Sequence, residues 1–367
     1  MDHASVSRIR TGLTLLLAAV TLAAATPAAV GATTPLPSRA PANGSADPDG
    51  TRRTGSAWLP YWGDTEEAFQ DALQHADQLH TVSPFWYEAS AATVKSHPGA
   101  GSIRIIDGLH EAGIKVVPTV TETLAADEMA DLMHDPERRT AHVDALMELV
   151  QSRAYDGLDL DYERMAVTGD SAARDRVRTG YNALAKDLCA RLHARGKQCV
   201  ITVMARARGN GKAFDYEELG KVADRIRIMG YDLHWAGGEA GPLSATDWYE
   251  DFLRYATDTI PRNRIEVSFP GYGWDWTTGV KARAHHLTWK EADALRRQEG
   301  VGYHFDDASG TPYFTYQKGG RTHEVWYQDA RGVRAHMPLL EKYGVQGTGL
   351  WALGFEDPDT WAALRGE

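Results

Sequence analysis

From residue 57 onward, short apolar segments alternate regularly with longer amphipathic segments. The apolar segments predict eight β-strands, at residues 57–62, 81–86, 115–120, 157–162, 198–204, 225–231, 265–270 and 347–353. The amphipathic segments predict helices, at residues 66–79, 101–112, 138–151, 175–194, 216–222, 245–259, 288–298 and 330–343. Strands that alternate with helices pair in parallel through right-handed crossovers, and eight such units close into a (β/α)8, or TIM, barrel of the α/β class.

An open, doubly wound parallel sheet is the alternative arrangement of such units. That fold carries a glycine-rich, phosphate-binding turn after its first strand. The chain has Tyr61-Trp62-Gly63-Asp64 at this place, which does not supply the turn. The sequence therefore favours the closed barrel.

The spacing is interrupted between the seventh and eighth predicted strands. Residues 301–305, 313–317 and 322–327 alternate apolar with polar side chains and are joined by turn-forming residues, a pattern typical of antiparallel strands. We therefore expect a small antiparallel insertion over about residues 281–328 that forms one wall of the barrel mouth.

The first 56 residues lack this alternation. Residues 1–32 combine basic residues, an apolar segment at 13–25 and small residues near the end, which predicts a secretory signal peptide. A membrane anchor is the alternative, but the apolar segment is shorter than the ~20 residues that a spanning helix needs. Residues 33–56 are rich in Pro, Gly and Ser and predict a disordered linker, so the barrel is expected at 57–367 in a secreted protein.

Secretion bears on the two cysteines, Cys189 and Cys199, because an oxidising compartment permits a disulfide bond. A bond between them would join the end of a predicted helix to the next predicted strand. The alternative is a pair of buried thiols, and the sequence leaves both possibilities open.

The charge and aromatic composition indicate the kind of ligand. The chain has 50 Asp and Glu against 39 Lys and Arg, and its net charge of -11 argues against nucleic acid as a partner. Eleven Trp and 15 Tyr outnumber eight Phe, which favours aromatic faces with a polar edge. This composition suits a neutral ligand such as a sugar.

Acidic residues interrupt the fourth predicted strand, which reads Tyr155-Asp156-Gly157-Leu158-Asp159-Leu160-Asp161-Tyr162-Glu163. Side chains alternate along a strand, so Asp159, Asp161 and Glu163 share one face. If the leucines face the helices, the acids line the barrel, with Glu163 at the rim where barrel active sites lie. Their mutual repulsion raises at least one carboxyl pKa, which makes Glu163 a candidate general acid.

Other interpretations of the acidic strand are weaker. A calcium loop needs a glycine at its sixth position and turn-forming residues, whereas this segment has leucines. An aspartyl-phosphate nucleophile would be accompanied by a magnesium or phosphate motif, which the sequence lacks. A purely structural acidic cluster remains as an alternative. We predict no metal site.

The strand from Tyr155 to Glu163 resembles the D-G-x-D-x-D-x-E signature of glycoside hydrolase family 18. Met229, Tyr231 and Asp232 resemble the family's M-x-Y-D motif, and Trp351 resembles the tryptophan that floors its sugar site. The resemblance extends over residues 57–361.

This resemblance implies a set of catalytic roles. Glu163 would protonate the leaving oxygen and later activate water, and Asp161 would orient the 2-acetamido group of the sugar. Tyr231 would hydrogen-bond the acetamido carbonyl, and Asp159 would assist from below. In this family the acetamido oxygen is the nucleophile, so the configuration is retained and the resemblance implies no cofactor.

Tryptophans at or just beyond the predicted strand ends are candidates for sugar stacking. They are Trp62, Trp86, Trp235, Trp274, Trp276 and Trp351. Met229 and Asp232 are further candidate substrate-binding residues. The pair His285-His286 lies in a polar segment and is expected to be exposed to solvent.

Within the family, the sequence departs from the chitinases. They carry S-x-G-G on the third strand, where this chain has Pro118-Thr119-Val120-Thr121. Segments such as Ser83-Pro84-Phe85-Trp86-Tyr87 and Pro270-Gly271-Tyr272-Gly273-Trp274 look like the branch that includes spore-cortex peptidoglycan N-acetylglucosaminidases. Many members of that branch bear LysM wall-binding modules, and none is visible here.

The sequence therefore predicts a secreted, monomeric, retaining β-N-acetylglucosaminidase. Its partner would be a GlcNAc-containing polymer, with peptidoglycan fragments preferred to chitin oligosaccharides, and it would contact no membrane after signal cleavage. One alternative is a catalytically silent, lectin-like barrel. Another is an endo-β-N-acetylglucosaminidase that acts on N-glycans.

Overall fold

The fold is described by a computed structural model that covers residues 55–367. Its strands are β1 (Gly55–Leu59), β2 (Leu79–Ala89), β3 (Val94–Ser96), β4 (Lys115–Val116), β5 (Thr119–Glu122), β6 (Gly157–Asp161), β7 (Gln198–Met204), β8 (Arg225–Met229), β9 (Ile265–Pro270), β10 (Tyr272–Thr277), β11 (His285–Thr288), β12 (His304–Asp306), β13 (Thr311–Lys318), β14 (Arg321–Tyr327) and β15 (Gly347–Trp351). Its helices are α1 (Thr65–Gln74), α2 (Ile103–Glu111), α3 (Ala126–His134), α4 (Pro136–Gln151), α5 (Ser171–His193), α6 (Tyr216–Val222), α7 (Thr246–Thr259), α8 (Trp289–Gln298), α9 (Ala330–Tyr343) and α10 (Thr360–Leu364).

The parallel strands close into a barrel. Around the ring the order is β1, β2, β4 with β5, β6, β7, β8, β9 and β15, and β15 pairs in parallel with β1. Pro118 lies between β4 and β5 and has no N–H to donate, so the third predicted strand forms as two short pieces. The prediction of a (β/α)8 barrel is confirmed.

Several boundaries differ from the prediction. β1 begins at Gly55, two residues before the predicted start, and β2 continues to Ala89 rather than ending at residue 86. Helices α3 and α10 were not predicted, and α3 precedes α4 directly because Asp135 caps α4 through the amides of Glu137 and Arg138. The predicted signal peptide and the linker up to residue 54 lie outside the described residues.

The predicted insertion is present and larger than expected. Strands β10 to β14 form an antiparallel sheet in the order β11, β10, β14, β13, β12. The three predicted strands correspond to β12, β13 and β14, while β10 and β11 were not predicted. The sheet therefore starts at Tyr272, immediately after β9, rather than near residue 281.

Cys189 near the end of α5 and Cys199 on β7 form a disulfide bond. Of the two possibilities left open by the sequence, the structure thus has the covalent link between a helix and the following strand. Within residues 55–367, no helix combines the length and apolar character needed to cross a bilayer.

Candidate active site

The two faces of β6 divide apolar from acidic side chains as predicted. Leu158 and Leu160 are fully buried in the apolar core shared with the helices. Asp159 and Asp161 are also buried. Asp159 contacts Arg227 in the barrel interior, and Asp161 lines the cavity at the barrel mouth. A Cβ atom at Gly157 would lie 2.2 Å from the carbonyl oxygen of Gln198 on β7, so only glycine fits at this point of the signature.

Asp159 is held by a complete set of hydrogen-bond donors. Its Oδ2 accepts from the Trp58 indole at 2.9 Å, the Thr119 hydroxyl at 2.8 Å and the Arg227 guanidinium at 3.1 Å, and its Oδ1 accepts from the Thr202 hydroxyl at 2.7 Å. These partners come from four different barrel strands. The Asp159 carboxyl group is therefore fixed in the barrel interior, and both of its oxygens accept hydrogen bonds.

Arg227 supplies the positive charge that the sequence analysis missed. Its Nε donates to Glu266 Oε2 at 3.0 Å, its Nη1 donates to Ser83 Oγ at 3.0 Å, and its guanidinium carbon lies 4.5 Å from the centroid of the Trp58 ring. The residue is fully buried. An arginine inside the apolar strand Arg225-Ile226-Arg227-Ile228-Met229 was the signal that could have revealed it.

The upper two carboxyl groups have raised pKa values. Burial raises the pKa of Asp161 well above its usual range, and the carboxylates of Glu163 and Asp159 add to the effect. Burial and then the Asp232 carboxylate raise the pKa of Glu163 to about 7. Glu163 can therefore hold a proton near neutral pH, as a general acid requires.

One cavity of about 320 Å³ at the carboxyl ends of the barrel strands brings most of the predicted site together. It is lined by the predicted residues Asp161, Glu163, Met229, Tyr231, Asp232, Trp62, Trp274 and Trp351. Phe85, Tyr272, His286 and Phe355 complete the lining. Asp159 lies below it.

Asp232 adopts a left-handed backbone conformation, with φ +62°, directly after Tyr231. Aspartate tolerates this region better than most residues. Its Oδ1 accepts from the Tyr272 hydroxyl at 2.6 Å and from the Trp274 indole at 2.9 Å. Strand β10 of the insertion thus holds a carboxyl group of the barrel in place.

Three of the predicted tryptophan platforms are not part of the cavity. Trp86 is fully buried, because β2 continues past it and strand alternation turns Phe85, not Trp86, towards the cavity. Trp276 is buried within β10. Trp235 is 47% exposed and lies beside Arg283, outside the cavity. Trp86 and Trp276 are buried, so the prediction that they stack on a sugar is wrong, and Trp235 does not line this cavity.

His286 was expected to be exposed to solvent, and this expectation is wrong. It lines the cavity and stacks on Tyr272, with ring centroids 5.1 Å apart. Burial lowers its pKa, which favours the neutral form of the ring. Its neighbour His285 is exposed, as expected.

A second cavity of about 370 Å³ shares Trp62 and Phe355 with the first. It lies between the loop after β1, the start of α8 and the loop after β15. The two cavities therefore adjoin at Trp62, and the second extends the first away from Asp161 and Glu163.

A barrel with raised-pKa carboxyl groups and tryptophan faces at its carboxyl end has the site of a glycosidase. Residues 59–356 match the model of the glycosyl hydrolases family 18. The chain belongs to this family, and the resemblance noted in the sequence is confirmed.

Individual relatives agree with this assignment. The chain is 31% identical over 257 residues to YdhD of Bacillus subtilis, which is named as a putative sporulation-specific glycosylase. The aligned region covers 66% of this chain and 59% of that protein. It is 25% identical over 320 residues to the cortical fragment-lytic enzyme of Bacillus subtilis, 83% of this chain and 72% of that protein. A chitinase structure from Chromobacterium violaceum has a TM-score of 0.75 and 25% identity, covering 86% of this chain and 98% of that one.

Proposed function

We propose that this protein is a secreted, retaining β-N-acetylglucosaminidase that cleaves GlcNAc-containing polymers by substrate-assisted catalysis. Peptidoglycan fragments are the preferred substrate in this proposal and chitin oligosaccharides the second. The similarity to a cortical fragment-lytic enzyme supports peptidoglycan. The pattern of residues 1–32 supports secretion.

The observation that carries the proposal is the meeting of Asp161, Glu163 and Tyr231 in one cavity. Asp161 Oδ1 is buried and has no hydrogen-bond partner within residues 55–367, so it is available to a polar group of a ligand. The acetamido N–H of the sugar is such a group, and the Tyr231 hydroxyl would donate to its carbonyl.

The proposed reaction has two displacements. The acetamido oxygen attacks the anomeric carbon while Glu163 gives its proton to the departing glycosidic oxygen. Water then attacks the anomeric carbon of the cyclic intermediate, and Glu163 takes a proton from that water. The two inversions retain the configuration, and Glu163 returns to its protonated state.

Product analysis tests the function. Purified protein is incubated with peptidoglycan fragments, chitin oligosaccharides and a high-mannose glycopeptide, and the products are identified by mass spectrometry. We expect cleavage beside GlcNAc and none of a de-N-acetylated chitin oligosaccharide. Binding without cleavage would favour a lectin-like barrel, and cleavage of the glycopeptide alone would favour an N-glycan endoglycosidase. Cleavage of the de-N-acetylated substrate would contradict substrate assistance.

Activity should follow the protonation of Glu163. Because its pKa is raised to about 7, the proton-carrying form predominates below that pH and is lost above it. We expect kcat/KM to be high on the acid side and to decline as the pH rises through about 7. Hydrolysis rates measured across this range check the prediction, and a rate that kept rising in alkaline buffer would contradict it.

Trp351 is expected to contribute to substrate affinity. Its ring lies 5.1 Å from Phe85 and 6.0 Å from Trp62, which fixes its face at the cavity. Loss of one stacking contact costs about 1 kcal/mol, so Trp351→Ala should raise KM about fivefold. The exposed Trp235 is the matched control, and Trp235→Ala should leave KM within about twofold of the original value. Equal effects in steady-state assays would remove Trp351 from the binding site.

A further inference from the structure

Glu122 is a buried glutamate at the end of β5 that the proposed mechanism does not use. Its side chain is only 7% exposed. Its Oε2 accepts from the backbone N–H of Glu163 at 3.1 Å, and its Oε1 accepts from the backbone N–H of Met165 at 2.6 Å. One carboxyl group thus binds two backbone N–H groups in the segment that follows β6.

These contacts lie where the regular sheet stops. The pairing of β5 with β6 ends with Thr121 opposite Asp161, so Glu163 lies beyond the ladder. Glu163 then starts a short 3-10 turn over Arg164–Ala166. The carboxyl group of Glu122 replaces the missing ladder bonds and fixes the main chain from which the Glu163 side chain projects.

We propose that Glu122 is a positioning residue that aims the Glu163 carboxyl group at the glycosidic oxygen. This inference rests on the proposed role of Glu163 as the proton donor. Glu122 itself is not among the residues that line the cavity. Its effect on catalysis would therefore pass through the backbone of Glu163.

Opposing effects act on the carboxyl group of Glu122. Burial raises its pKa to about 8 and the Glu163 carboxylate acts in the same direction, while the backbone N–H groups of Met165 and Glu163 act in the opposite one. The other titratable groups influenced by Glu122 are Asp161, Tyr162 and Tyr181. Glu122→Gln keeps the size of the side chain and changes its hydrogen bonding. The glutamine amide nitrogen has no lone pair to accept from a backbone N–H, so one of the two bonds is lost.

The test compares two leaving groups. A 4-nitrophenyl glycoside of a GlcNAc oligosaccharide releases an acidic phenol that departs without a proton from the enzyme. An unlabelled GlcNAc oligosaccharide releases a sugar hydroxyl and depends on the general acid. The ratio of kcat/KM for the two substrates reports on proton donation, and it does not depend on how much of a sample is folded.

For Glu122→Gln, we expect the oligosaccharide to lose about tenfold to a hundredfold in kcat/KM, and the nitrophenyl substrate to lose less than about threefold. Glu122→Ala removes both acceptors, so it should lower the ratio of oligosaccharide kcat/KM to nitrophenyl-substrate kcat/KM further. Most of the loss should appear in kcat, because the sugar-binding residues are unchanged.

Asp329 provides the matched control. It is also 7% exposed, and its carboxylate accepts from the backbone N–H of Gly332 at 2.8 Å, but it does not line either cavity. Asp329→Asn should leave the substrate ratio unchanged. Equal losses on both substrates in the Glu122 variants would assign Glu122 to stability alone and overturn the proposal. Lack of hydrolysis by the unmodified protein would instead contradict the proposed function.

Discussion

Replacing Glu163 with glutamine is expected to lower turnover of a GlcNAc oligosaccharide by about 10³-fold, within the range that general acid–base catalysis contributes. Glutamine keeps the shape of the side chain but has no acidic proton to give to the departing oxygen. The raised pKa of Glu163, to about 7, is the property that the substitution removes. Steady-state hydrolysis measured at about pH 6 gives the loss directly.

Substrate binding should survive this substitution. The aromatic lining and Tyr231 are unchanged, so the Kd of a chitin oligosaccharide measured by calorimetry should stay within about threefold of the original value. Glu250 on α7 gives a control for the same chemical change, since it pairs with Lys342 on the outer surface. Glu250→Gln should leave turnover unaffected. Full activity of Glu163→Gln would exclude Glu163 as the proton donor.

Replacing Arg227 with methionine is expected to destabilise the fold by about 3–5 kcal/mol, the usual cost of breaking a buried ion pair by removing one partner. Methionine fills much of the same volume but leaves Asp159 and Glu266 without their buried cation. Chemical denaturation followed by circular dichroism measures the free energy of unfolding.

The matched control is an exposed ion pair. Arg176 lies 2.7 Å from Asp131, and both side chains are at least half exposed. Arg176→Met should therefore cost less than about 1 kcal/mol. If the two methionine variants unfolded at the same denaturant concentration, the interior network would contribute no more to stability than a surface pair.

The parts of the fold set by local periodicity were predictable from the sequence. Leu158 and Leu160 alternate with Asp159 and Asp161, and this two-residue period alone predicts that the acids share the inner face. The same period places Phe85 and Trp86 on opposite faces of β2, so only one of them can line the cavity. A position near a predicted strand end does not show that an aromatic side chain reaches the cavity, because β2 continues past both Phe85 and Trp86.

The contacts between distant strands were not predictable in this way. Arg227 and Asp159 are 68 residues apart, and Glu122 reaches Glu163 across 41 residues. Such pairs depend on how the strands are ordered and aligned around the barrel, which hydrophobic alternation does not determine. The location of His286 is unpredictable for a related reason, since its polar neighbours in sequence are not its neighbours in space. Tyr272, on the adjacent strand, covers it.

The antiparallel sheet influences the acidity of the site from outside the barrel strands. Strand β10 supplies both hydrogen bonds to Asp232, and Asp232 in turn raises the pKa of Glu163. Substitutions of Tyr272 or Trp274 can therefore change the acidity of Glu163 without altering a residue of the barrel strands. A sheet inserted outside the barrel ring thus helps to set the acidity of a carboxyl group at the barrel mouth.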